Sequence, residues 1–228
     1  MDTFTIQQDI FIDYHPAISV TSCREDVLTL QQLGTFLKTA NGHIGVAPVY
    51  DEKCCLSKLA MATACHVLLI TFSPNTATTL KKSKKTVVRL ALESLFSHPD
   101  VTVYAFKMNY VAVALFLNHG IRLAAGKHLL SVSTRRQLDG LLETLGERRV
   151  ALDKTNIINL FRNEESSANL PKTTALQAWA AYQAATMPET CGPVLEIPVI
   201  NTLAIDPTVC IYFYLPHERP FPIFIQIL

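Results

Sequence analysis

Apolar positions along the chain fall into two spacings, and the order in which they alternate sketches an architecture. The opening, from Phe4 to Val20, mixes β-formers with polar residues. Ser22-x-x-Glu25 then has the form of a capping box, and Val27, Leu28, Leu30, Leu33 and Leu37 follow at helical spacing until Asn41-Gly42 stops them. Three strand-like runs come next, over residues 44–49, 56–63 and 67–72. The connections between them are too short for a parallel crossover, so they must be antiparallel neighbours. After a polar loop over 73–85, the spacing of Val87, Val88, Leu90, Ala91, Leu92, Leu95 and Phe96 predicts a helix, ended by His98-Pro99-Asp100.

The segment 101–106 reads as a fourth strand. Residues 110–117 are apolar nearly all round, which predicts a buried helix, closed by Gly120 at the left-handed cap position. Residues 121–130 read as a short fifth strand, and 133–145, 153–162 and 173–186 as helices. A meander followed by alternating helices and strands predicts an α/β fold: a mixed sheet of three antiparallel strands and then parallel ones, flanked by helices. Residues 1–40 supply an N-terminal strand and helix, residues 41–188 the core, and residues 189–228 a Pro-rich, β-prone extension. That extension is strongly apolar, and Ile211, Phe213, Phe221 and Phe224 are its candidate contact residues.

Composition narrows the picture. The chain has 228 residues, 49% of them hydrophobic and 17% charged, which is enough apolar material for a large core and too much for a disordered chain. Its longest apolar runs fall far short of the roughly 18 residues that span a membrane. The first residues carry Asp2 and Asp9 and no basic stretch, unlike a secretory signal, so the expected location is intracellular, cytoplasmic or nuclear. None of the six cysteines forms a CxxC pair, which fits free thiols in a reducing compartment. Cys65-His66 with Cys54 or Cys55 offers zinc-ligand types, but their apolar, strand-like setting favours free thiols. A net charge of +1 gives no global attraction to nucleic acid.

Several fragments, taken in order, resemble a known family. Gly42-His43-Ile44-Gly45-Val46 looks like the entry to its first strand. Leu56-Ser57-Lys58-Leu59-Ala60-Met61-Ala62-Thr63 looks like its second, and Val67 to Ile70 like its third. Val103 to Leu115, with Asn118-His119-Gly120-Ile121, resembles its second motif and the helix after it. Trp179-Ala180-Ala181-Tyr182-Gln183-Ala184 resembles its third motif, Tyr-Ala-x-x-Asp-Ala. The family is the 3′–5′ exonuclease domain of the ribonuclease D type, in the DEDD superfamily, with a ribonuclease H-like fold.

The resemblance implies chemistry by two metal ions held on four carboxylates. Transferred residue by residue, the first motif's Asp-x-Glu falls on Ala47-Pro48-Val49, and the second motif's Asp on Val111. The accompanying His falls on Phe106, the last Asp on Gln183, the water-orienting aromatic on Trp179, and a further Asp near His128. Hard cations need anionic oxygen ligands, so the resemblance implies a pseudonuclease with no metal and no other cofactor, not an enzyme. Asp51 and Glu52, just past the first strand, read as a solvated turn.

Lys81, Lys82, Lys84 and Lys85, with Arg135 and Arg136, form the candidate nucleic-acid contacts; such loops are more often only solvated. The expected role is a protein-interaction or scaffold module in an RNA-processing or RNA-silencing assembly, through a protein partner or self-association. The alternative is a non-cleaving single-stranded RNA or DNA binder. An active exonuclease with relocated ligands ranks last. No membrane and no small-molecule cofactor is expected.

Overall fold

In the computed structural model, residues 1–73, 87–135, 137–162 and 169–205 are described. The three closely linked runs form the expected meander: β3 (His43–Tyr50), β4 (Leu56–Ala62) and β5 (His66–Thr71), successively antiparallel. They follow β1 (Asp2–Gln7), β2 (Ala17–Arg24) and α1 (Leu30–Ala40). After them come α2 (Val87–Phe96), β6 (Thr102–Ala105), α3 (Met108–His119) and β7 (Gly126–His128). A 3₁₀ turn (Leu129–Val132), α4 (Gln137–Thr144), α5 (Lys154–Phe161), α6 (Leu170–Thr186), α7 (Cys191–Leu195) and β8 (Val199–Ile200) complete the order.

Among the described residues, eight strands form one sheet in the order β1-β2-β5-β4-β3-β6-β7-β8. Its centre, β5-β4-β3-β6-β7, has two antiparallel joints followed by two parallel ones. That is the ribonuclease H-like arrangement. Alternation along each strand divides the core in two. Ile44, Val46, Leu59 and Met61 face α1, α2 and α3, whereas Ala47, Ala60, Ala62 and Tyr104 face α4, α5, α6 and α7.

Four expectations need correction. Ser22 lies inside β2, whose parallel pairing to β5 continues through Arg24, so Ser22-x-x-Glu25 caps nothing. The working capping box is Thr29 with Gln32, whose side chain and backbone exchange hydrogen bonds at the start of α1. The N-terminal region holds two strands, not one. The strand expected over 121–130 shrinks to β7, because Leu123 donates to Thr202 Oγ1 at 2.8 Å and accepts from Thr202 N, and Ala124 donates to Phe96 O, which takes 121–124 out of the β6 ladder. Finally, α3 is not buried all round: Tyr110, Val113 and Leu117 face solvent.

The sheet also continues past residue 188, since β8 pairs antiparallel with β7. Lys127, buried on β7, donates to the carbonyls of Val194 and Leu195 at 2.9 Å each, satisfying the end of α7.

Candidate functional site

β3 and α6 bring three of the resemblance-implied positions, Ala47, Trp179 and Gln183, onto one side of the sheet. α6 begins with Pro171 in its first turn and runs 17 residues across the sheet centre. It approaches β3 so closely that a Cβ on Gly45 would stand 2.2 Å from the Ala178 carbonyl oxygen and 2.4 Å from the Tyr182 nitrogen. Such contact requires small residues on both surfaces. Gly45 pairs with Ala62 and Ala47 with Ala60, and α6 turns Ala175, Ala178, Ala181 and Ala185 into the same core. The space between strand and helix is therefore filled by backbone and methyl groups.

Ala47 is buried there, and Val49, two residues on, is half-buried near the outer end of β3. Gln183 is buried on α6. Trp179 is fully buried: its indole N–H donates to Ala64 O at 2.9 Å, Tyr14 stacks on it at 6.2 Å, and Phe11 meets it edge-on at 5.8 Å. Phe11 is held there because Ile10 and Phe11 donate their amides to Gln8 Oε1 and residues 10–12 pair with residues 151–153. Val111 lies in the opposite core with Val46 and Leu115, on the far side of the sheet from Ala47. Phe106 packs edge-on to Phe161 at 4.9 Å.

His128 Nδ1 accepts the Met108 N–H at 3.1 Å and so caps α3, whose own N-cap Lys107 offers no side-chain bond. Burial, helped by the nearby Lys107 ammonium, holds the His128 ring below its ordinary pKa and keeps that acceptor neutral.

Positions 47, 49, 111 and 183 offer one amide oxygen between them, a donor set that does not fit a hard divalent cation. Asp51 is already committed: its Oδ1 accepts from Lys53 N at 2.9 Å and Cys55 N at 2.8 Å, holding a tight turn with Cys54 at φ 59°. Among the described residues, no group of three or more His, Cys, Asp or Glu side chains is placed to hold a metal ion.

Of the basic candidates, Lys81, Lys82, Lys84, Lys85 and Arg136 lie outside the described residues, as do Ile211, Phe213, Phe221 and Phe224. Arg135 sits 3.9 Å from Glu143, which Arg148 approaches to 3.9 Å from another side. The two arginines thus share an acid.

One cluster has no signal in the sequence. Glu25, at the end of β2, takes a two-pronged contact from Arg89 on α2, and Arg89 also donates to the His119 carbonyl at 3.2 Å. His119, on the last turn of α3, donates from Nε2 to Leu56 O at 2.8 Å. That bond puts the proton on Nε2, so Nδ1 is a buried acceptor, and it has no hydrogen-bond partner among the described residues. Phe72 stacks on the ring at 4.0 Å, with the Arg89 guanidinium 5.3 Å from the Phe72 centroid. Burial pushes the His119 pKa down to about 4; the Leu56 carbonyl and Glu25 oppose the fall, and Arg89 adds to it. The network joins β2, α2, α3 and the start of β4 through residues far apart in sequence, which is why spacing does not reveal it.

No protein-family model matches this chain, and no curated protein does. Solved structures of the EXD2 exonuclease domain are similar to it at low identity. The form soaked in manganese and dGMP is 16% identical over 78% of this chain and 98% of that chain, with TM-score 0.39. The form soaked in manganese and magnesium gives 16%, 78%, 98% and 0.36. The form soaked in magnesium and GMP gives 14%, 72%, 85% and 0.36. With identities and TM-scores this low, the ribonuclease H-like assignment rests on the strand order itself.

Proposed function

We propose that this chain is a pseudonuclease: an exonuclease-type, ribonuclease H-like domain that serves as a protein-interaction or scaffold module in an RNA-processing or RNA-silencing assembly. The observation that carries the reading is the backbone contact of α6 on Gly45, beside Ala47 and Ala60. In the exonucleases this sequence resembles, carboxylates of the first and third motifs hold two metals about 4 Å apart. Here a Gly–Ala strand and an Ala-rich helix close over the corresponding ground. Exchanging carboxylates for Ala and Val also removes like-charge repulsion and desolvation cost, so such a domain keeps its fold without metal. Asp51, the nearest acid along β3, serves a turn.

The test is a 3′-end trimming assay on single-stranded RNA and DNA in magnesium and in manganese. The expected outcome is no shortening at any protein concentration, together with co-purification of a defined protein partner. Metal-dependent trimming that disappears in Asp51→Ala would overturn the reading.

A further inference from the structure

α3 carries an apolar surface where a solvent-facing helix should be polar. Tyr110, Val113 and Leu117 are exposed by 48%, 39% and 38%, and Phe116 is half-buried beside them. Their spacing puts all four on one face, about 10 Å long, with Asn109 its main polar member. A helix apolar all round is normally covered on all sides.

The course of the chain indicates the cover. The Arg122 guanidinium lies 5.7 Å from the Phe116 ring centroid. Its two terminal nitrogens donate to the carbonyls of Leu203 at 2.5 Å and Ile205 at 3.3 Å. The described chain therefore arrives at residue 205 pinned to the C-terminal end of this very face. Next along the sequence is a short Asp206-Pro207-Thr208 step, followed by the uncharged run Val209, Cys210, Ile211, Tyr212, Phe213, Tyr214 and Leu215. Four extended residues from Ile205 span about 13 Å, enough to bring this run onto Leu117 and along to Tyr110. Both surfaces are apolar and neither carries a formal charge.

We propose that residues 209–215 of this chain dock in cis along the outward face of α3, covering Tyr110, Val113, Phe116 and Leu117. Arg122 is the hinge pin that aims the segment there. This site is independent of whether the domain cuts nucleic acid.

Cys210 provides the probe. Tyr110→Cys, Val113→Cys and Leu117→Cys, each made singly in the full chain, sample the whole length of the face, so any docking register brings one of them near Cys210. A disulfide needs Cα atoms within about 7 Å. Under mild oxidation of dilute protein, at least one variant should form an intrachain bond to Cys210, read by non-reducing mobility and peptide mass. That yield should exceed several-fold the yield from Thr35→Cys on α1, and Cys210→Ser should abolish it. Yields no higher than the Thr35→Cys control at all three positions would overturn the proposal. So would bonds found only between chains and lost on dilution, which would give the face to a second copy.

Discussion

His119 shows how much one buried ring can set. Its ordinary pKa of 6.5 falls to about 4 in the folded protein, chiefly through burial. The unfolded chain therefore binds the proton more tightly between those values. Stability from the neutral ring is fully present above pH 6.5 and is lost as pH falls through 4, in total about 3 kcal/mol. His128, also lowered and also an acceptor, adds loss of the same sign. His119→Gln keeps a donor near Leu56 O and removes the titration, so thermal midpoints measured from pH 7 to pH 4 should fall less steeply in the variant. An unchanged acid slope would show that His119 does not titrate as described.

At the scale of elements, glycine contrasts two kinds of packing. Gly45 is where α6 touches β3, and any Cβ there meets main chain that cannot rotate away. Gly45→Ala should cost about 3 kcal/mol, at the upper end of overpacking penalties, as read by denaturant midpoint. Gly34, inside α1, has nothing within 4 Å of an added Cβ. Gly34→Ala should gain about 0.5–1 kcal/mol by helix propensity and unfolded-state entropy. Equal effects at the two sites would refute the close helix–strand contact. Hydrophobic spacing alone did not show that contact, since Gly45 and Ala47 lie in an apolar run; the resemblance implied that Ala47 and Gln183 are neighbours, and only the structure shows how closely α6 lies on Gly45. Proximity to a helix over 130 residues away is a property of the assembled sheet.

For the whole molecule, the boundary near residue 189 separates composition more sharply than structure. Residues 191–205 bury Val194 and Ile197, satisfy Lys127, and pair with β7 and Leu123. A chain ending after Glu189 should lose several kcal/mol relative to one ending after Ile205, since each buried aliphatic side chain is worth about 1.5–3 kcal/mol and Lys127 would keep its burial without its partners. Equal denaturant midpoints for the two truncations would mean that α7 and β8 merely rest on the domain.

The local pattern of the sequence determined the meander β3–β4–β5, the helices α2, α5 and α6, and the strand β6, because short connections and hydrophobic period are properties of neighbouring residues. It also determined the left-handed stop at Asn41-Gly42 and the Gly120 cap. The residue types at positions 47, 49, 111 and 183, none of them a carboxylate, are likewise legible in the sequence. Tertiary structure alone decided that Glu25 leaves a would-be helix cap for Arg89, and that Thr29 caps α1 instead. It alone put Val111 across the sheet from Ala47 and turned Tyr110, Val113 and Leu117 of α3 outward. Each of these depends on which distant segment arrives alongside, and a buried charge or a filled interface is settled by the partner that reaches it.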